Sequence, residues 1–396
     1  MMKVVLINYD FKVFWKGRLR YLNQFLAINH IDFHAIELFG KGSAYSFDSY
    51  DNEEKWWSCL FPANSASEIE KEEMKKALFE MLNSINPDII IASSVAFFAG
   101  ALGMRWAKKN RKKFIMFENA KPAQFKRNFL VQKVKDLLIE QSDGVWLPSS
   151  DYDKEYPELF NKHIHVFYGY CCVDNNLFKT KEKNDFNHNS LLCIARLVPI
   201  KNIDNLLKAW KIVEEKGINH KLTIIGDGPD YTSLNDLATR LNLKNVEFSG
   251  ALDNKDIPPY FYNSDAFIFP SLSETWGLVV NEAMAAGAPV LLSNKVNAAH
   301  TLLKEGINGF GFDPSNINEI ANAIFKYISL DVEAKKEMSS KSVEIIDMMD
   351  YENMGSGLLR ALIKIKSQEF KKPQLLATLI INFWDGRYST SSWNKL

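Results

Sequence analysis

Two glutamates, Glu274 and Glu282, stand eight positions apart in the run PSLSETWGLVVNEAMAAGAPV at 270–290. A strand signal ends at Pro270. Gly277 opens an apolar helix that closes at Gly287, with Pro289 just beyond. Glu274 therefore falls on the loop and Glu282 inside the helix. Gly277, Leu278 and Val279 present N–H groups at the helix start, where the positive end of the dipole favours phosphate. A carboxylate at 282 could accept from a ribose diol beside that phosphate. One at 274 would face whatever hangs from the far phosphate. Alone, a capping charge and a solvated helix residue explain the two glutamates better; their company decides for chemistry.

That company is cationic and glycine-rich. In CIARLVPIKNIDNLL, 193–207, a strand ends at Ala195, and Arg196 and Lys201 flank a short loop before a helix. Ligands bind at the C-terminal edge of a parallel sheet. There a planar guanidinium and a point-charge ammonium would neutralise a diphosphate. In IIGDGPD, 224–230, Gly226 and Gly228 permit a sharp turn after a strand. By itself this is a plain turn; beside the cations it is a candidate wall of a nucleotide pocket. After Phe248-Ser249-Gly250, the backbone of Ala251 and Leu252 could read a base edge.

These residues need strands and helices to hold them. Apolar, β-branched runs occur at 3–6, 31–38, 88–92, 113–117, 144–147 and 164–167. A second series occurs at 190–195, 221–225, 245–248, 266–269, 289–292 and 309–312, with amphipathic stretches between. Near-continuous apolar strands alternating with helices mean parallel sheets covered on both faces. The chain has 396 residues, more than one domain usually holds. The expected division is a first domain at 1–178, a polar linker at 179–189, a second domain at 190–368 and a tail at 369–396. In the tail, LLATLIINFW reads as a last helix packed back on the first domain; membrane contact is the other reading. Ten residues are too few to cross a bilayer.

Composition excludes a disordered chain, since 46% of residues are hydrophobic. Lys plus Arg and Asp plus Glu both number 48, so no global field draws nucleic acid. The four cysteines form no Cys-x-x-Cys pair, and neither zinc nor another metal is indicated. The opening MMKVVLINYDFK reads as a strand rather than a leader, which makes the cytosol the expected compartment.

Taken in order, Arg196…Lys201, Gly226-Asp-Gly-Pro, Phe248-x-Gly and Pro270-Ser-x-x-Glu274-x-x-Gly277-x4-Glu282 resemble the retaining glycosyltransferases of family four. The resemblance covers about 188–330. It implies an α/β GT-B fold: two Rossmann-like domains facing a central cleft, with a nucleotide-sugar donor held mainly by the second. It implies Arg196 and Lys201 on the diphosphate, Glu282 on the ribose, and Glu274 with Gly277, Leu278 and Val279 near the sugar and distal phosphate. Glu274, Arg196 and Lys201 are then the catalytic set, with no metal and no cofactor. Retention follows from same-face attack, in which the leaving phosphate takes the acceptor's proton. In the first domain Gly17, beside Trp15, Lys16 and Arg18, would let backbone approach the donor phosphate. Ser93 and Ser94 stand where members often carry a His, and Glu118 falls at the expected cleft edge.

Residues 105–135 hold eleven Lys or Arg and one acid, Glu118, with aromatics interleaved. No nucleic-acid motif accompanies them. An anionic membrane fits, beside which a lipid-linked acceptor would sit. The expected function is retaining sugar transfer from a nucleotide-sugar to a glycan or lipid-linked glycan, in O-antigen or capsule assembly. A nucleotide-sugar epimerase and a non-catalytic nucleotide-sugar binder are the alternatives.

Overall fold

A computed structural model describes residues 1–12, 14–42, 54–124, 129–156, 159, 164–179 and 186–388. The chain divides into two units, Met1–Tyr170 together with the segment from Tyr351, and Cys171–Asp350. Each is built on one parallel sheet. The first sheet contains β1 (Met2–Asn8), β2 (Ile31–Phe39), β3 (Trp57–Phe61), β4 (Ile89–Ala92), β5 (Lys113–Phe117), β6 (Gly144–Leu147) and β7 (His165–Tyr168). Their order is β3-β2-β1-β4-β5-β6-β7. The second contains β8 (Ser190–Ile194), β9 (Lys221–Ile225), β10 (Val246–Gly250), β11 (Ala266–Phe269), β12 (Val290–Ser293) and β13 (Gly309–Phe312), ordered β10-β9-β8-β11-β12-β13. Both are doubly wound, Rossmann-like arrangements.

Every strand expected from the sequence is present, displaced by at most two residues at either end. The runs are apolar because both sheet faces are covered: Val4 to Ile7 and Ile89 to Ala92 have no exposed surface. Strand β3 was not expected. It is an edge strand, only Trp57 of it is buried, and its mixed sequence WSCLF lacks the apolar continuity of the others.

The first unit's helices are α1 (Phe14–Ile28), α2 (Lys71–Ile85), α3 (Phe98–Lys109) and α4 (Phe129–Ile139). The second unit's are α5 (Ile203–Glu215), α6 (Tyr231–Arg240), α7 (Pro258–Tyr262), α8 (Leu278–Ala285), α9 (Asn297–Leu302), α10 (Ile317–Ile328) and α11 (Val332–Ile346). Then α12 (Tyr351–Ser367) and α13 (Leu375–Phe383) return to the first.

That return corrects the boundary placed at 368. Met354, Leu358, Ala361, Leu362 and Ile365 form a buried stripe on α12. The stripe packs on α1 and β7 of the first unit. Gly355 lies against Tyr21 and Phe25, and the Ile365 side chain fills the space a Cβ on Gly144 would need. A stripe identifies a helix but not the sheet that receives it. Of the linker expected at 179–189, residues 180–185 lie outside the described residues, as do 389–396 of the tail.

The basic run is not one solvated face. Arg105, Lys108, Lys113, Lys121 and Lys135 are buried. Arg105 donates to the carbonyls of Ile381 (2.8 Å) and Trp384 (3.0 Å) and pairs with Asp385 (2.7 Å), closing the end of α13. Lys108 and Lys113 share Asp143. Lys135 pairs with Glu118 at 2.7 Å, and Lys121 sits over the Tyr152 ring. Residues 125–128 lie outside the described residues. Lys109, Arg111 and Lys133 do face solvent.

Candidate functional site

In the second sheet the strand order reverses between β8 and β11. The loops leaving their C-terminal ends part there, which is where an open α/β sheet holds its ligand. Arg196 lies on the loop after β8, and Lys201 ends a short 3-10 turn, Pro199–Lys201. Glu274 lies on the loop after β11. Asn202, which sequence reading passed over, ties the two loops. It sits at φ 60°, a conformation asparagine tolerates better than most residues. Its side-chain amide donates to the carbonyls of Pro270 (3.1 Å) and Pro314 (2.8 Å). Leu272 N–H reaches the Ile200 carbonyl beside it, at 2.8 Å.

The glycine turn buttresses the Arg196 loop. Gly226 has φ 138°, and a Cβ there would overlap the Ala195 carbonyl oxygen. A Cβ on Gly228 would overlap the Leu197 carbonyl oxygen. Leu197 N–H donates to the Asp227 carbonyl (2.9 Å), and its own carbonyl accepts from Asp230 (3.0 Å). Two backbones thus lie flat against each other, and only glycine allows it. Gly226 N–H also reaches the Gly250 carbonyl at 2.8 Å, bringing the end of β10 alongside. Ala251 follows exposed and Leu252 half-buried.

The Lys201 ammonium is already engaged: it forms an ion pair with the Glu274 carboxylate and lies 5.4 Å from the centre of the Phe269 ring. Both ends of the pair are largely shielded from solvent. Glu274 is fixed through its backbone, with its N–H on the Lys295 carbonyl at 3.3 Å.

Gly277 caps α8 with φ 100°, its bare Cα facing Phe269 and Val296. Among the described residues the N–H groups of Leu278 and Val279 have no backbone acceptor, as a first helical turn dictates. Two buried side chains missed by sequence brace this turn. Trp276 Nε1 donates to Asn281 Oδ1 at 2.9 Å, and Asn281 Nδ2 donates to the Cys171 carbonyl at 3.1 Å. Glu282 is buried one residue further on, and burial pushes its carboxyl up to about 8. At neutral pH it is mostly protonated. The carboxylate expected there is a carboxyl that can also donate one hydrogen bond.

Residues 196, 201, 226, 251, 252, 274 and 277–279 therefore share one edge of the second sheet. Gly17 belongs to the first unit. It lies inside α1 of the first unit, and the space its Cβ would need is taken by the Tyr351 hydroxyl. Its bareness serves packing there. Glu118 likewise is a buried ion-pair member. Burial works to raise its carboxyl, but Lys135, the Ser94 hydroxyl and the Ala120 N–H hold it below the usual range.

Residues 174–344 match the family model of glycosyl transferases group 1. An uncharacterized glycosyltransferase of Haemophilus influenzae is 30% identical over 169 residues, 42% of this chain and 47% of that one. The capsular polysaccharide biosynthesis glycosyltransferase CapM of Staphylococcus aureus is 30% identical over 166 residues, 40% of this chain and 41% of that one. The chain thus spans under half the length of these curated relatives. Among solved structures, Anabaena HepE in complex with UDP superposes with a TM-score of 0.71 at 19% identity, covering 92% of this chain and all of HepE. That likeness shows the two-sheet GT-B fold. By sequence, then, residues 174–344 are similar to the glycosyl transferases group 1, while the likeness to HepE shows the fold alone.

Proposed function

We propose that the chain is a retaining glycosyltransferase. It moves one sugar from a nucleotide-sugar to a glycan or lipid-linked glycan in surface polysaccharide assembly. One observation carries the reading: the uncapped start of α8, the Lys201–Glu274 pair and the buried Glu282 converge where the second sheet's order reverses. HepE, solved with UDP, and CapM, named for capsule synthesis, support the donor class and the pathway class.

The donor's diphosphate lies on the N–H groups of Leu278 and Val279, with Arg196 and Lys201 beside it. The ribose diol exchanges hydrogen bonds with Glu282 and offsets part of its desolvation. Phosphate draws Lys201 away from Glu274, whose carboxylate then accepts from the sugar hydroxyls. The bond from the anomeric carbon to phosphate oxygen breaks and the bond to the acceptor oxygen forms on the same face. The acceptor's proton passes to the leaving phosphate. Helix terminus and cations carry the developing charge, so the reading requires no metal.

The test is product analysis with a panel of nucleotide-sugars and glycan acceptors, following the anomeric proton by NMR. Nucleoside diphosphate release with a product of the donor's own anomeric configuration is expected. An inverted product overturns retention, and an epimerised sugar without transfer makes the chain a nucleotide-sugar epimerase.

A further inference from the structure

Helix α13, LLATLIINF, carries no charged residue, and Thr378 and Asn382 are its two polar side chains. Ala377 and Ile381 are buried where it packs on α3 and α4. The opposite side is bare. Leu375 is 86% exposed, Leu376 61%, Leu379 58% and Phe383 82%. Large apolar side chains on a helix usually face an interior, and here four of them face solvent. Adjacent α4 adds Phe129, itself 67% exposed. Cations outnumber acids around it, with Glu369 exposed among them. Lys371 and Lys372 lead into α13 and are exposed. The Arg111 guanidinium lies 5.5 Å from the Phe370 ring just before them, and Lys133 lies 4.3 Å from the Phe129 ring. The one acid at the end of α13, Asp385, is spent on Arg105. Arg105 and the Trp384 indole, which donates to the Val95 carbonyl at 2.7 Å, hold the helix firmly to its own unit.

We propose that this apolar ridge, with its basic margin, seats the protein on an anionic lipid surface, α13 lying in the plane of the interface. Apolar side chains at the centre and cations at the rim are the pattern of an interfacial helix facing acidic headgroups. An apolar partner protein would not call for the basic margin, and a purely electrostatic contact would not call for the leucines. At nine residues the helix lies on a bilayer and cannot cross it. The proposal does not depend on which sugar moves, because lipid binding is read with neither donor nor acceptor present.

The experiment is vesicle co-sedimentation of the full chain. Phosphatidylcholine vesicles are compared with vesicles also containing phosphatidylglycerol, at about 0.1 M and about 1 M salt, between which the Debye length falls from about 10 to about 3 Å. Binding to the anionic vesicles is expected, weakened by salt but not abolished. Leu379→Ser with Phe383→Ser should lower partitioning by about tenfold or more, since each removes a side chain's apolar burial. Lys371→Glu with Lys372→Glu should remove the salt-sensitive part. Both pairs are exposed, so circular dichroism and nucleoside diphosphate binding should match the parent chain. No binding to anionic vesicles at low salt overturns the proposal, as does binding that both pairs of substitutions leave unchanged. A dimer in sedimentation that the serine pair dissociates, without lipid binding, assigns the ridge to a second copy instead.

Discussion

The Lys201 ammonium rests on the Glu274 carboxylate, so the cation proposed for the diphosphate is held by the acid proposed for the sugar. Binding and turnover should therefore respond to the two residues in opposite ways. Glu274→Gln frees Lys201 for phosphate and should tighten nucleoside diphosphate binding several-fold while turnover falls by about a hundredfold or more. Lys201→Ala should weaken both. Calorimetry with the nucleoside diphosphate, alongside turnover, reads the difference. Loss of diphosphate affinity in Glu274→Gln would mean that the pair opens onto something other than phosphate.

Glu282 makes stability depend on pH. Its folded carboxyl titrates at about 8, above the ordinary 4.5. The unfolded chain therefore releases that proton first, and stability falls as pH rises from about 4.5 to about 8, then levels off. Glu37, pushed up to about 7 by burial, adds to the same slope in the parent and the variant alike. Glu282→Gln should melt higher than the parent at pH 8, by roughly 2–4 °C for each kcal/mol regained, and no higher at pH 4. It should also bind nucleoside diphosphate less well. Equal melting shifts at both pH values would mean that the parent carboxyl ionises normally.

Gly17 and Gly226 separate packing from site geometry. Gly17→Ala should cost about 1–3 kcal/mol through overpacking against Tyr351. Adding Tyr351→Phe removes the hydroxyl that the new Cβ meets, and should recover much of the loss. Nucleoside diphosphate affinity should not change in either chain. Gly226→Ala forces the Ala195 backbone aside and should lower both stability and affinity. Chemical denaturation with calorimetry on the three chains decides. A Gly17→Ala chain of normal stability that binds diphosphate poorly would assign Gly17 to the phosphate instead of to packing.

The interior cations divide from the outer ones. Lys135→Met leaves Glu118 buried without its partner and should cost about 3–5 kcal/mol. Lys135→Met with Glu118→Gln should recover most of it. Lys109→Ala should stay within about 0.5 kcal/mol. Urea denaturation of the three chains measures this, and equal losses for Lys135 and Lys109 would contradict the burial of the first.

The parallel strands were legible because burial on both faces writes a continuous apolar run, as in IIIA and VWL. The edge strand β3, with one buried residue, writes no such run. Spacing led to Glu274, Gly277 and Glu282 because a strand, a loop and a helix start follow one another within thirteen residues. Asn202 and Asn281 stayed hidden, since an amide that ties loops together looks like any surface amide until its partners are known. The basic run misled for a related reason. Eleven cations in thirty-one positions say nothing of the acids that fold against them, and Asp143 and Asp385 lie beyond the run.

The chain leaves the first unit at Tyr170 and rejoins it at Tyr351. The second unit is thus an insertion, and its beginning and end are made consecutively while the first unit still lacks α12 and α13. On the ribosome the usual order, N-terminal domain first, is reversed for completion: the inserted unit can finish while its host waits. Until α12 arrives, Gly144 lacks Ile365 and the Tyr21–Phe25 face of α1 lacks Gly355. Nascent chains stalled before residue 351 should therefore present a protease-resistant second unit beside a first unit that is still cut, and release of the last segment should close the first unit.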